Sequence, residues 1–391
     1  MAQRQFRSDD TATWNYGFGS GADGNYSSGG NATDAPIDAS CSGTSGATSL
    51  SATNASFTGG QLILIHQTRG TGAGGWELNK IQSYVAGTIT LSHTLTMTFT
   101  DSGASQAQVL VLKQYNNFTQ GSGHTLTAKA WDGNVGGIIA FFAKGDTTIT
   151  GALSSSGKGF IAAPANTTAD QDGYQGEGTS GAGGTRSLSK NGNGAGGGDG
   201  GSGLDWSSGG GGGGNGAAGT NGQAGQQAAG GIGGDAVGNA GLTSMQLGGG
   251  GSSGGGGRNG FTNAAAGGIG GGLVLIITKD LSISGTIVTT GNNGVSDTNA
   301  RNSGGGGGAG GSVLLKCATA TLGTTKITSA GGSGGTGSGG AGYYNNGGAG
   351  AVGRIHLDYS GSYSGSTSPT IDARNDTSII DAVNSSFILM F

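Results

Sequence analysis

Apolar positions along this chain come in short aliphatic and β-branched runs, and no segment keeps a helical 3.6-residue period over two turns. The runs QLILIH at 61–66, WELNKIQSY at 76–84, GTITL at 87–91 and AQVLVLK at 107–113 are separated by glycine-rich turns, the pattern of strands. They predict a small β-barrel or sandwich over residues 36–125. Ahead of them, residues 1–35 are polar, with the rings of Trp14, Tyr16, Phe18 and Tyr26 set among Gly, Ser, Asp and Asn. This segment reads as an extended attachment arm.

Residues 126–391 carry an internal repeat. GGIIAFFAK at 136–144 is followed by TTITGALSSSG at 147–157, and GLVLIITK at 272–279 by LSISGTIVTTG at 281–291. GSVLLKCA at 311–318 is followed by TLGTTKITSA at 321–330, and GRIHLDY at 353–359 is a partial fourth copy. Each unit predicts a strand, a tight turn, a second strand and then a glycine-rich excursion. One such hairpin cannot bury its apolar face alone, so successive copies must stack as rungs. The excursions occupy about 161–271, 291–311 and 330–353.

Composition decides how to read those excursions. Glycine supplies 94 of 391 residues and proline only 3, without the G-X-Y register of collagen. The alternative is a disordered linker, since glycine loses the most entropy on ordering. Order is favoured by the position of the excursions inside a repeat, by their scarcity of charge, and by spacers of buried type at Ile232, Val237, Leu242, Met245 and Leu247. Glycine has no Cβ, so extended three-residue-per-turn helices can pack backbone to backbone and pair N–H with C=O between neighbours. The expected fold is therefore all-β with polyglycine-II helices: a small β-barrel or sandwich, then stacked β-rungs with packed glycine-rich excursions. Each inter-helix hydrogen bond contributes about 0.5–1.5 kcal/mol, against about 1–2 kcal/mol per residue for ordering. The apolar rungs must hold the ends of the block.

Charge is sparse, with 17 basic and 21 acidic side chains and a formal net charge of −4. Such a chain has no electrostatic footprint for nucleic acid or anionic lipid. The longest apolar runs, 273–277 and 387–391, are too short to span a bilayer, so no membrane insertion is expected. The first ten residues contain no apolar h-region and do not read as a Sec-type signal. Cys41 and Cys317 read as small buried hydrophobes, with one bridge between them left open.

Formal motif matches lack the context their chemistry needs. Gly214, Gly216 and Gly219 match a dinucleotide fingerprint without a strand before or a helix after. Gly251, Ser253 and Gly255 match a nucleophile elbow without the strand-to-helix turn. His66, His93, His124 and His356 are scattered singly, and no metal site or cofactor is expected. Calcium near Asp205 or Asp235 is left open, because those two partial nonapeptide copies are not in tandem.

The aromatics in and beside the excursions are the candidate site residues: Tyr174, Trp206, Phe261, Tyr343 and Tyr344. Each ring either caps the glycine block or is displayed at a loop tip as a receptor-binding anchor. Assembly contacts are expected from Trp14, Tyr16 and Phe18 in the arm. They are also expected from Phe387, Ile388, Leu389 and Phe391 in the apolar C-terminal strand, which is either a last core strand or one donated to a neighbour.

The succession FTGGQLILIHQTRGTGAGGWEL at 57–78, then AWDGNVGGIIA at 130–140, resembles glycine-rich surface proteins of bacteria, including the small-genome candidate phyla. The glycine runs over about 161–353 are similar in architecture to the tip adhesins of T-even-type phage tail fibres, without a shared motif. That resemblance implies receptor attachment through loops. The expectation is a non-enzymatic, extracellular structural or adhesive fibre protein, a tail-fibre-like subunit of a virion fibre or a cell surface. Its partners would be a cell-surface receptor of protein or glycan and other copies or fibre subunits. The alternative is a self-assembling bacterial surface filament or sheath. A polysaccharide-cleaving enzyme would need clustered Asp, Glu or Lys on one face of the rungs, where the sequence shows almost no charge.

Overall fold

The computed structural model describes residues 17–200, 207–225, 228–257, 264–297, 303–338 and 345–379. Among these the chain is all-β, without a helix. It opens with β1 (Tyr26–Ser27) and β2 (Ala32–Asp34). A closed barrel follows, made of β3 (Asp38–Ser42), β4 (Ser49–Ala52), β5 (Leu62–Arg69), β6 (Trp76–Val85), β7 (Thr88–Leu91) and β8 (Gln106–Val111). Every barrel pairing is antiparallel. Next come the short strands β9 (Lys113–Tyr115), β10 (Phe118–Gln120) and β11 (Thr125–Ala128). The rungs are β12 (Ile138–Ile149) with β13 (Ala152–Ser154), β14 (Leu273–Ile283) with β15 (Thr286–Val288), and the long β16 (Ser312–Thr328) and β17 (Arg354–Ser368), closed by β18 (Asp372–Asn375).

The rungs differ from the expected hairpins. β12 pairs not with β13 but with β14, in parallel, while β13 pairs in parallel with β15. Each repeat is a bent ribbon laid on the one before it, and β1, β2, β10 and β11 form rungs of the same curled sheet. Each three-residue second strand extends the parallel ladder already laid down by its counterpart in the preceding rung, so the stack rather than the single repeat holds it. Inside the curl, Val274, Ile276, Val313, Leu315, Ile355 and Leu357 share a core with Leu153, Ile287 and Ile327. Full burial of each such side chain contributes about 1.5–3 kcal/mol.

The opposite face of the rungs meets the barrel. Leu62 and Leu64 of β5 pack with Ile138, Phe142, Leu275 and Ile277, whereas Ile63 and Ile65 point into the barrel core. A strand with two covered faces reads as a continuous apolar run, which is why 61–66 does not alternate. Phe18, read as an arm residue, is 2 % exposed in this inter-layer core and is not free for assembly. Cys41 and Cys317 are free thiols in separate cores, one in the barrel and one within the rungs.

The glycine-rich segments pack against one another with a period of three. In 248–256, residues 248, 251 and 254 donate to Gly271, Gly268 and Ala265; residues 249, 252 and 255 to Gly214, Gly211 and Ser208; and residues 250, 253 and 256 to Glu177, Tyr174 and Gln171. Three faces of one segment thus serve three neighbours. The segment 304–311 repeats the arrangement toward 345–351, 289–295 and 249–252. No side chain fits between them: a Cβ on Gly251 would stand 2.1 Å from the Gly306 carbonyl oxygen. Leu242, Met245 and Leu247 are buried as spacers, but Ile232 is 42 % exposed, because its segment lies at the outside of the block.

Candidate functional site

Two places concentrate chemistry. The first is the end of the glycine block remote from the rungs. Gly200 donates to Asp172 Oδ1 at 3.3 Å, Ser208 to Asp199, and Gly225 to Ala228. Asn166 and Ala264 exchange backbone bonds, Ala265 donates to Ser303, Gly304 to Asn345, and Asp297 to Thr336. These residues border the stretches 201–206, 226–227, 258–263, 298–302 and 339–344, so the flanks of all five gather at one end. Trp206, Phe261, Tyr343 and Tyr344 belong to those stretches and lie outside the described residues, as do Asp205, Trp14, Tyr16, Phe387, Ile388, Leu389 and Phe391.

Tyr174 is described, and it is half-buried. The Arg186 guanidinium lies 4.3 Å from its ring centroid, and Arg186 Nη2 donates to the Tyr174 hydroxyl at 2.9 Å. Arg186 Nη1 also donates to Asn166 Oδ1 and to the Asp172 carbonyl. Tyr174 is therefore a fixed wall of this end. Asp235, weighed for calcium, pairs with Lys190 at the surface.

The second place is the last rungs, on the face that meets the barrel. Parallel in-register stacking makes every position a row. One row runs Phe142, Ile277, Lys316, Asp358 and Arg374; its neighbour runs Ala140, Leu275, Leu314, His356 and Asp372. Both begin apolar and turn charged. Lys316 Nζ pairs with Asp358 Oδ2, and both side chains are almost fully buried. Arg374 Nε donates to Asp358 Oδ1 at 2.8 Å, and Arg374 Nη2 to Asp376 Oδ2 at 3.2 Å. His356 stands between carboxylates, with Nε2 3.0 Å from Asp358 Oδ1 and Nδ1 2.8 Å from Asp372 Oδ2.

Burial lowers the Lys316 ammonium to about 8, against the pull of Asp358. Burial alone would raise Asp358, but the His356 hydrogen bond and the Lys316 charge outweigh it and hold the carboxyl well below the usual range. Asp372, at 49 % side-chain exposure, is the member that reaches the surface. It lines a groove of about 200 Å³ with Val352, Arg354, Pro369, Thr370 and Ala240. Sequence reasoning missed this cluster because residues 316, 356–358 and 372–374 are neighbours only through the register. The signal lay in aligning the fourth, partial repeat with the third.

Among the described residues no group of His, Cys, Asp and Glu has metal-ligand geometry, and no helix is long and apolar enough to cross a membrane.

No family model matches the chain, and no curated protein matches it. Among solved structures it is similar to the Gp54 tailspike of Acinetobacter baumannii bacteriophage AP22 in complex with A. baumannii capsular saccharide. That likeness has 10% identity and a TM-score of 0.19, covers 88% of this chain, and spans 60% of the tailspike chain. One expectation is corrected. The non-enzymatic reading rested on the near absence of charge on the rungs. That argument fails, since Lys316, His356, Asp358, Asp372 and Arg374 stand on one face of the rungs.

Proposed function

We propose that this chain is an extracellular fibre or adhesin subunit, tail-fibre-like, that attaches to a cell-surface receptor through loops at one end of a rigid scaffold. The scaffold is a bundle of polyglycine-II helices clamped by the β-rungs. Its support is the period-three hydrogen bonding of 248–256, in which successive residues donate to three different neighbours, as a threefold extended helix requires. The observation that carries the receptor reading is the gathering, at one end of that bundle, of the described residues that flank five stretches of the chain. Rigid elements presenting clustered loops are the usual design of a recognition surface. Trp206, Phe261, Tyr343 and Tyr344 are the proposed contacts, beside the fixed Tyr174–Arg186 wall.

The test is cell binding by fluorescently labelled protein over a panel of bacterial strains. Joint replacement of Trp206, Phe261, Tyr343 and Tyr344 by alanine should abolish binding while the melting temperature stays within a few degrees of wild type. Unchanged binding would remove the loop end from the reading.

One observation favours a second reading, a self-assembling surface filament. Beyond residue 360, β17 pairs only with β16, so its outer edge faces no described strand. Such an edge is a template for another copy. Electron microscopy of the purified protein separates the two: long polymers favour the filament, discrete particles the adhesin.

A further inference from the structure

The charged rows at the end of the rungs are costly to build. Burying Lys316 and Asp358 strips both ions of water, and replacing a buried pair by apolar residues is often neutral or stabilising. Ile277 and Phe142 occupy the same row one and two rungs before Lys316. What the buried ions do achieve is to fix Asp372. His356 Nε2 faces the ionised Asp358, so it carries a proton and donates. Nδ1 faces Asp372 Oδ2 at 2.8 Å, and one proton lies between those two atoms.

Asp372 Oδ1 has no partner among the described residues. Across the groove, Arg354 uses Nε and Nη2 on the Val237 carbonyl at 3.1 and 2.9 Å, and its Nη1 likewise has no partner among the described residues. Thr370, Pro369 and Val352, the last 43 % exposed, line the same groove. One groove of about 200 Å³ thus brings together a residue with an unpaired acceptor, a residue with an unpaired donor, and apolar side chains.

We propose that this groove binds one ring of a hydroxyl-rich sugar. Adjacent hydroxyls would donate to Asp372 Oδ1 and accept from Arg354 Nη1, while the C–H face lies on Val352 and Pro369. A neutral ligand is favoured over a zwitterion because the charge of Asp372 is already answered by the proton it shares with His356, so a ligand ammonium gains little there. The site is separate from the loop end, and either can fail without the other.

The experiment is saturation-transfer NMR on the full chain with methyl pyranosides, plain and N-acetylated, and with free glycine as the zwitterionic comparison. Saturable transfer from at least one pyranoside is expected in the millimolar range. Asp372→Asn should weaken it about tenfold, the loss of one charge-assisted hydrogen bond. Val352→Trp, which fills the groove from an exposed position, should abolish it even if Asp372→Asn disturbs folding. Asp280→Asn, on another part of the rungs, should leave it unchanged. Absence of transfer from every pyranoside, transfer from glycine alone, or equal transfer in wild type and Val352→Trp would overturn the proposal.

Discussion

His66 on the barrel donates from Nε2 to the carbonyl oxygen of Met245 in the glycine-rich excursion, 2.9 Å away and 179 residues along the chain. A carbonyl only accepts, so this bond fixes the tautomer, and Nδ1 accepts from Thr68 Oγ1 at 2.9 Å. Thr68 in turn accepts from Gln108 Nε2, which also holds the Gly136 carbonyl. Three parts of the fold are joined by one relay with no spare proton site. Burial lowers His66 to about 4, with the Met245 carbonyl opposing, against 6.5 for a free side chain. Between those values the unfolded chain binds the proton and the folded chain does not, so stability is full above pH 6.5 and falls as pH drops toward 4. The loss is on the order of 3 kcal/mol. Urea melts at pH 7 and pH 5 should show about 2 kcal/mol of it, and His66→Gln should flatten the difference.

The glycine block makes a positional prediction. A Cβ on Gly306 would lie 1.7 Å from the Gly211 carbonyl oxygen, and one on Gly251 2.1 Å from that of Gly306. Neither neighbour is a movable side chain tip. Gly306→Ala and Gly251→Ala should each destabilise by about 1–3 kcal/mol or more, as overpacking does. Gly29→Ala, where a Cβ meets nothing within 4 Å, should stay within about 0.5 kcal/mol. Equal melting temperatures for Gly29→Ala and Gly306→Ala would contradict the close packing.

The strands were legible because apolar runs flanked by glycine admit little else, and the repeat announced the stacking. The pairing was not: a short second strand such as 152–154 looks the same in a hairpin and in a parallel rung. The charged rows were invisible for a related reason. Lys316 and Asp358 are 42 residues apart, and only the register sets them side by side. Phe18 misled because an aromatic in polar sequence looks displayed, whereas its partners come from the barrel and rungs, remote in sequence.

Glu177 should behave as the clamp between barrel and glycine block. Its Oε1 pairs with Arg69 Nη1 at the end of β5, and its Oε2 accepts from Trp131 Nε1 and the Ile161 amide, each at 2.9 Å. Burial raises its carboxyl, against the Ile161 amide, Trp131 and Arg69. Removing one partner leaves a buried charge, so Glu177→Ala and Arg69→Met should each cost about 3–5 kcal/mol. The double variant should cost clearly less than the sum, and strict additivity in the mutant cycle would mean the pair is not coupled.

Asp358 offers the sharpest contrast between stability and binding. It forms an ion pair with Lys316 and also receives His356 and Arg374. Asp358→Asn removes the carboxylate charge from beside the buried Lys316 ammonium and should destabilise by about 3–5 kcal/mol. In wild type the folded carboxyl titrates below its unfolded value of 3.8, so this contribution is complete above that pH and is lost only as pH falls further. The acid loss from His66 begins near 6.5, so the two are separable in a pH series. Replacing Lys316 and Asp358 together by leucine continues the row that Phe142 and Ile277 begin. That variant should regain most of the stability lost in Asp358→Asn. Because it withdraws the support behind His356, Asp372 should lose its fixed position and sugar transfer at the groove should fall. Recovery of stability with binding intact would show that the buried ions do not position Asp372.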